Sequence, residues 1–324
     1  MSYNIEIQPS GVKYPSEDNL LEDALSQSLP LEHSCKNGDC GVCTASVISG
    51  SVVNENGETV TSGEILTCKS RAISDVVLNA KYYPELACIK KQTLPCKISS
   101  LKFPLKDVAV ITFRFPTTAR FEFLPGQYID LNYQGIQRSY SIANSRKVEG
   151  SIELHIRRVN EGRMSEFIFG DLKINQLMRI EGPKGTFFVR NGKKPLIFLG
   201  TGTGIAPILS MVEQLLDDGD KREINIYWGM RNSEEFYCER LVELSEKYNN
   251  VHYNPVASRE LDWGGHTGYV QDAVLQDFKS LADVEIYACG SVKMIESSKE
   301  LFFKNELSLE AFHSDAFTPS KHSS

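Results

Sequence analysis

Four cysteines have the spacing of a metal-cluster site. Cys35, Cys40 and Cys43 lie within nine residues, Cys35-Lys36-Asn37-Gly38-Asp39-Cys40-Gly41-Val42-Cys43, and Cys68 follows after 24 intervening ones. A C-x4-C-x2-C run answered by one distant cysteine can supply four thiolates to a [2Fe–2S] cluster. Gly38 and Gly41 let such a loop fold over inorganic sulfides with its N–H groups facing them. A structural zinc ion is the competing reading. Zinc sites usually pair one CxxC with another or with HxxxH, and neither partner occurs here. A disulfide explains the pattern less well, and Cys88, Cys96, Cys238 and Cys289 are scattered.

Other runs suit nucleotide cofactors. Arg138-Ser139-Tyr140-Ser141 lies on an expected strand beyond Pro125-Gly126-Gln127-Tyr128. By itself it is four ordinary residues. Between a cluster loop and a glycine-rich loop, Arg138 suits a flavin phosphate, Tyr140 the flavin ring, and the Ser141 hydroxyl the hydride-accepting N5. Gly162-Arg163-Met164-Ser165 opens an expected helix whose N–H groups suit a pyrophosphate, although many helices start this way. His155-Ile156-Arg157 is taken as a further cofactor-contacting segment. The six histidines show no metal-ligand spacing, and by spacing alone His155, His252 and His266 read as structural.

Gly200-Thr201-Gly202-Thr203-Gly204-Ile205-Ala206-Pro207 joins an apolar run, Pro195–Leu199, to a helix-like stretch, 208–216. That is the context for dinucleotide phosphates, though it is not the strict Rossmann fingerprint. The bland alternative is a functionless strand–helix turn. Trp228-Gly229 and Cys289-Gly290 end two further expected strands, at the crevice where such sheets bind ligands. Cys289 reads either as a buried small residue or as part of that crevice.

The elements that must position these residues follow from periodicity. Residues 4–8 alternate as a strand, 17–27 have helical spacing, 45–52 follow the cluster loop as a strand running into a turn, and 64–68 bring in the last cysteine. Lys81 to Pro95 reads as a linker. Lys97 to Val189 reads as all-β, with strands at 108–115, 128–131 and 152–157, and a short barrel is the economical architecture. From Lys193 on, strand and helix signals alternate, with strands at 224–229 and 284–290, which argues for a parallel, doubly wound sheet. The expected fold is thus multidomain, α+β and α/β. Its domains are a small mixed cluster domain at 1–90, an antiparallel barrel at 91–190 and a nucleotide domain at 191–324.

The 324 residues carry a net charge of -7, which gives a nucleic-acid-binding role no support. Of the 42 acidic residues 12 lie in 1–90, against 6 of the 35 basic ones, so a net of -6 sits with the cysteine cluster. The bland reading is solubility; the sharper one is a face that steers a basic partner. Met1-Ser2-Tyr3-Asn4-Ile5-Glu6 has neither the basic start nor the apolar core of a signal peptide, and no apolar run approaches the ~20 residues of a membrane span. A reducing cytoplasm is the expected compartment, with no membrane partner.

The four cysteines, PGQY (125–128), RSYS (138–141), EGPKGTF (181–187), GTGTGIAP (200–207) and ACG (288–290) together resemble the ferredoxin–NADP reductase superfamily with an N-terminal plant-type ferredoxin domain. The resemblance covers nearly the whole chain. It implies a β-grasp ferredoxin domain, FAD on the RxYS strand of the barrel, and a nicotinamide nucleotide at the glycine turn with the Cys-Gly pair near its ring. It also implies a C-terminal aromatic covering the flavin, here Phe317 in place of the more familiar Tyr. The order ferredoxin–FAD–NAD is that of reductase components of bacterial oxygenases. Lys81–Leu86, Arg138–Asn144, Ile180–Arg190, Tyr227–Met230 and Ser314–Lys321 are similar, more narrowly, to the CDP-6-deoxy-Δ3,4-glucoseen reductases. Members of that family pass electrons to a pyridoxamine-phosphate-dependent CDP-4-keto-6-deoxyhexose dehydrase, in making 3,6-dideoxyhexoses such as ascarylose for surface polysaccharide (O-antigen). The gap from Cys43 to Cys68 is a few residues shorter than is usual in ferredoxins.

The implied activity is hydride transfer from NADH to FAD, then single-electron transfer through the [2Fe–2S] cluster to the dehydrase. The alternatives are an oxygenase component as acceptor, and a non-redox zinc-binding protein. Ser258-Arg259 suits a 2′-phosphate, but Gly265–Val270 lacks the lysine that often accompanies NADP binding. NADH is therefore favoured, with NADPH the alternative.

Overall fold

The computed structural model describes residues 1–260 and 262–317. It divides into two units, Met1–Lys90 and Lys91–Ser324.

The first unit contains β1 (Tyr3–Gln8), β2 (Val12–Ser16), α1 (Leu20–Ser26), β3 (Thr44–Ser49), β4 (Val52–Val53), β5 (Thr59–Val60), β6 (Gly63–Leu66), β7 (Arg71–Ala72), β8 (Val76–Asn79) and α2 (Pro84–Ala87). The main sheet runs β2-β1-β8-β3-β6, with β1 and β8 parallel. Alternation in β1 buries Ile5 and Ile7 against Leu20, Leu21 and Ala24 of α1. The helix starts three residues later than periodicity suggests, because the Asn19 side chain accepts from the N–H groups of Leu21 and Glu22 and caps it. The expected strand at 45–52 is two strands, β3 and β4, separated by Gly50 and Ser51.

The expected linker at 81–95 is largely structured. Tyr82 bridges Leu31, the Tyr83 hydroxyl donates to Glu32 at 2.5 Å, and Pro84 begins a helical turn. Gln92–Pro95 already belong to the first strand of the second unit. Pro95 is tolerated because that end of the strand pairs on one side only; its other neighbour joins at Lys97.

The second unit opens with β9 (Gln92–Leu105), β10 (Val108–Arg114), β11 (Tyr128–Tyr133), β12 (Ile136–Ser141), β13 (Ser151–Arg157), α3 (Arg163–Gly170) and β14 (Leu177–Lys184). These strands form an antiparallel sheet in the order β12-β11-β14-β9-β10-β13. An antiparallel bridge from Ile142 to Leu154 joins its two edges into a barrel around Ile98, Ile111, Phe113, Ile129, Leu154 and Ile180. Then follow β15 (Leu196–Thr201), α4 (Ile205–Asp217), β16 (Ile224–Met230), α5 (Arg240–Lys247), β17 (Val251–Ala257), β18 (His266–Thr267), α6 (Val270–Asp277), β19 (Glu285–Ser291), α7 (Val292–Lys304) and β20 (Phe312–Phe317). Their sheet is parallel throughout, in the order β18-β17-β16-β15-β19-β20. The chain starts at β15, runs outward to β18 and returns to β19 on the other side of β15. The switch point therefore lies at the carboxyl ends of β15 and β19. Of the described helices, none is long and apolar enough to cross a membrane.

Candidate functional sites

In the first unit, sheet register assembles the cysteines. Thr44 of β3 pairs with Leu66 of β6, and the Thr67 N–H and hydroxyl both donate to the Cys43 carbonyl at 3.1 Å. Cys68, on the helical turn Thr67–Lys69, thereby meets Cys43 with the Sγ atoms 3.1 Å apart. Asn19 holds this turn from the other side by donating to the Cys68 carbonyl at 2.9 Å. The loop from Cys35 to Cys43 turns through positive φ at Gly38 and Gly41, +89° and +66°.

The thiols lie as two pairs, Cys35 with Cys40 and Cys43 with Cys68. Among the described residues no three His, Cys, Asp or Glu side chains close into a single-ion shell. Two pairs suit a two-iron cluster, in which each iron takes two thiolates. In each pair the mate is the main cause that holds one thiol, Cys35 or Cys43, below its ordinary range. The backbone N–H groups of Asn37, Asp39 and Cys40 add to this at Cys35. A loop whose N–H groups face sulfur is already arranged for thiolates and sulfides.

In the second unit, strand alternation separates the RSYS side chains. Ser139 pairs with Asp130 across β11 and donates to its carboxylate at 2.6 Å. Gln137 and Lys184 converge on the same carboxylate. Burial alone would raise the Asp130 carboxyl, but Lys184 and Ser139 outweigh it and hold the group below its ordinary value. Arg138 and Tyr140 therefore share the opposite face. Tyr140 is half-buried against the barrel core, and Ser141 is buried where the strand ends. α3 packs on this strand. Its first turn has no side-chain cap at Gly162, so the N–H groups of Arg163, Met164 and Ser165 suit an anion; Met164 and Ser165 are buried and Arg163 is exposed.

Of His155-Ile156-Arg157, Ile156 is core, and both ring nitrogens of His155 meet protein groups, Tyr237 and Glu153, at 3.1 Å each. Arg157 lies against Gly202 of the glycine turn: a Cβ there would come within 3.3 Å of its Nη1.

That turn is shaped by close backbone approach. β15 runs into the short turn Gly202–Gly204 and directly into α4, with Ala206 and Pro207 buried in its first turn. A Cβ on Gly204 would lie 2.3 Å from the Cys289 carbonyl oxygen, and one on Gly290 would lie 2.1 Å from Thr201 Oγ1. The Trp228 indole donates to the Gly202 carbonyl at 2.8 Å, and Gly229 pairs with Thr201. Gly200, Trp228 and Cys289 stand side by side in register across three parallel strands. The sheet thus brings Gly200–Gly204, Trp228-Gly229 and Cys289-Gly290 to one edge. The Cys289 side chain is fully buried and burial pushes its thiol well up, so it is the backbone of this pair that meets the turn. Phe317 ends β20 opposite Ser291, about a third exposed at 36%. Residues 318–321 of the stretch resembling the deoxysugar reductases lie outside the described residues. Ser258 and Arg259 are exposed at the end of β17, where Ser258 donates to the Met230 carbonyl at 3.1 Å.

Three family models match in succession: a 2Fe-2S iron-sulfur cluster binding domain at residues 5–73, an oxidoreductase FAD-binding domain at 95–189 and an oxidoreductase NAD-binding domain at 198–300. Protein RfbI of Salmonella typhimurium is 49% identical, over 99% of this chain and 98% of its own. The CDP-6-deoxy-L-threo-D-glycero-4-hexulose-3-dehydrase reductase of Yersinia pseudotuberculosis is 46% identical, over 99% and 100%. Reductase component 1 of terephthalate 1,2-dioxygenase from Comamonas is 29% identical, over 99% and 98%. Among solved structures, the Amycolatopsis cytochrome P450 reductase GcoB shares the fold with a TM-score of 0.78 at 24% identity, covering 98% of this chain and all (100%) of its own.

Proposed function

Because the chain belongs to the family of CDP-6-deoxy-L-threo-D-glycero-4-hexulose-3-dehydrase reductases, we propose that its electrons go to a pyridoxamine-phosphate-dependent CDP-4-keto-6-deoxyhexose dehydrase. The protein is an NAD(P)H-dependent oxidoreductase with a [2Fe–2S] cluster, FAD and a nicotinamide nucleotide, and it serves 3,6-dideoxyhexose synthesis. The observation that carries the acceptor is end-to-end similarity: 46% identity to a dehydrase reductase, against 29% to an oxygenase reductase of the same domain order.

The bound groups supply a two-electron step from nicotinamide to flavin and one-electron steps through the cluster. The chain's own part is positioning. Cys35 and Cys40 would hold one iron, Cys43 and Cys68 the other. Arg138 pairs with a flavin phosphate, and the uncapped first turn of α3, Gly162 to Ser165, takes the pyrophosphate. Tyr140 would lie against the flavin ring, and the Ser141 hydroxyl would be placed to reach N5. The turn from Gly200 to Pro207 receives the nucleotide phosphates, with Trp228-Gly229 and Cys289-Gly290 lining the nicotinamide side. Phe317 would cover the flavin ring and would have to yield that place to the nicotinamide. Arg157, against Gly202, faces the same turn, whereas His155 and Ile156 support it from the barrel. The domain limits that fit these roles are 1–90, 91–190 and 191–324. The acidic excess of residues 1–90 suits a basic acceptor face, and the eight free cysteines suit a reducing cytoplasm.

The test is anaerobic NADH oxidation with purified dehydrase, pyridoxamine phosphate and CDP-4-keto-6-deoxyglucose, beside a control without dehydrase. The reading expects NADH oxidation and 3-deoxysugar only in the complete mixture. Reduction of flavin and cluster without deoxysugar would reject this acceptor and turn the search to oxygenase components.

A further inference from the structure

A polar seam joins the barrel to the parallel sheet. Ser210, Glu213, Gln214 and Asp217 are spaced i, i+3, i+4, i+7 along α4, so they share one face of the helix that follows the glycine turn. That face grips the segment that continues the RSYS strand. Ser210 Oγ donates to the Asn144 carbonyl at 2.6 Å, the Ser145 N–H to Glu213 at 3.3 Å and the Arg146 N–H to Gln214 at 3.0 Å. Ser145 Oγ donates to Asp217 at 2.8 Å. Beside it, Gly126 of the barrel is packed so closely on Met211 of α4 that a Cβ would come within 2.2 Å of Cε.

Arg240, the first residue of α5, closes the seam. Its Nη1 lies 2.5 Å from Glu153 of β13, and its Nε lies 3.0 Å from Glu213 of α4. The two carboxylates, with side chains 19% and 18% exposed, meet on one guanidinium. Glu153 also accepts from His155 Nε2, and His155 Nδ1 accepts from the Tyr237 hydroxyl, the tautomer assignment that satisfies both. Tyr237 packs edge-on against Trp228 at 5.1 Å between ring centroids, and Trp228 donates to Gly202. A continuous chain of contacts therefore runs from Arg240 through Glu153 and His155 of the barrel strand to Tyr237, Trp228 and the glycine turn.

We propose that Arg240 is a positioning residue for hydride transfer: by bridging Glu153 and Glu213 it fixes the helix behind the glycine turn against the barrel that carries RSYS. The proposal rests on the assignment of those two elements to nicotinamide nucleotide and flavin. Without the guanidinium, two largely buried carboxylates would repel across the seam at low dielectric, and opening the seam would relieve them. Reacting atoms held by opposite sides of it would then part, and small displacements cost rate steeply.

The test uses the holoenzyme and three variants, Arg240→Gln, Arg240→Lys and Arg240→Gln with Glu213→Gln. The readouts are the limiting rate of flavin reduction in rapid mixing, the NADH concentration giving half that rate, and the long-wavelength absorbance of stacked nicotinamide and flavin. Arg240→Gln is expected to lower the limiting rate on the order of ten- to a hundredfold, and to weaken the stacking band, at unchanged FAD and iron content. Adding Glu213→Gln is expected to restore most of the loss, because it removes the repulsion, and Arg240→Lys part of it. A wild-type limiting rate in Arg240→Gln, or no recovery in the double variant, overturns the proposal. Should Arg240→Gln not fold, the double variant and Arg240→Lys carry the test: a wild-type rate and band in Arg240→Lys together with an impaired double variant overturns it. Failure of both NADH and NADPH to reduce the wild-type flavin would instead reject the underlying cofactor assignment.

Discussion

The cluster loop and the glycine turn are built on opposite plans. At the cluster loop the backbone serves to bring four thiols together as two pairs. At the glycine turn it is the backbone that is packed closely, and on the proposed reading it is the backbone that receives the nucleotide. Side chains are excluded because the Cys289 carbonyl and the Thr201 hydroxyl stand where a Cβ at Gly204 or Gly290 would go. The first plan tolerates no change of ligand; the second should respond by degree to how far a strand end is pushed.

The sharpest way to break this contrast is Cys68→Ser. It is expected to abolish electron delivery to any acceptor while leaving NADH-driven flavin reduction nearly intact. Loss of the cluster's absorbance together with loss of flavin reduction would show that the two sites are not separate in function. Gly204→Ala probes the other plan. A Cβ 2.3 Å from a backbone oxygen forces the turn and β19 apart, and kcat/KM for NADH is expected to fall on the order of a hundredfold. Cluster content and FAD content should stay at wild-type values, and a normal kcat/KM would contradict the close packing.

The smallest effect expected is at Asp130, which supports the RSYS strand from the face opposite Arg138 and Tyr140. Asp130→Asn should cost about 1.5–3 kcal/mol at pH 7, as for a hydrogen bond to a charged group, read as a lower denaturant midpoint for flavin release. Because the folded-state carboxyl is held low, its contribution is present above the unfolded value near ~4 and is lost as pH falls through the folded one. The difference between variant and wild type should therefore shrink below about pH 4. A constant difference across pH would show that the charge of Asp130 is not what matters.

The same contrast explains what was legible in the sequence. Cysteine spacing is a statement about side chains, so the cluster could be read directly. The glycine turn could be read only from its setting between an apolar strand and a helix, and the reason for each glycine appeared with the neighbouring strand β19. RSYS was readable as a strand, but the pull of Asp130 on Ser139 was not, because Asp130 and Lys184 lie on other strands. The start of α1 was misplaced because apolar periodicity was followed past the capping signal at Asn19. The linker reading at 81–95 runs too long because the stretch lacks clear periodicity, whereas Pro84 begins a helical turn and Pro95 occupies a one-sided strand end. The polar stripe on α4 went unread. Its signal was Ser210, Glu213, Gln214 and Asp217 recurring at helical spacing within an otherwise apolar helix, but their partners at 144–147 are more than 60 residues away.

The central claim is that reduction and delivery occur at different sites in a fixed order. It is tested most directly by mixing the anaerobic holoenzyme rapidly with NADH while flavin absorbance and the cluster's electron paramagnetic resonance signal are followed separately. The account predicts that the flavin band bleaches first, that the cluster signal follows, and that protein stripped of FAD shows no cluster reduction at all. Cluster reduction by NADH in the flavin-free protein would contradict it.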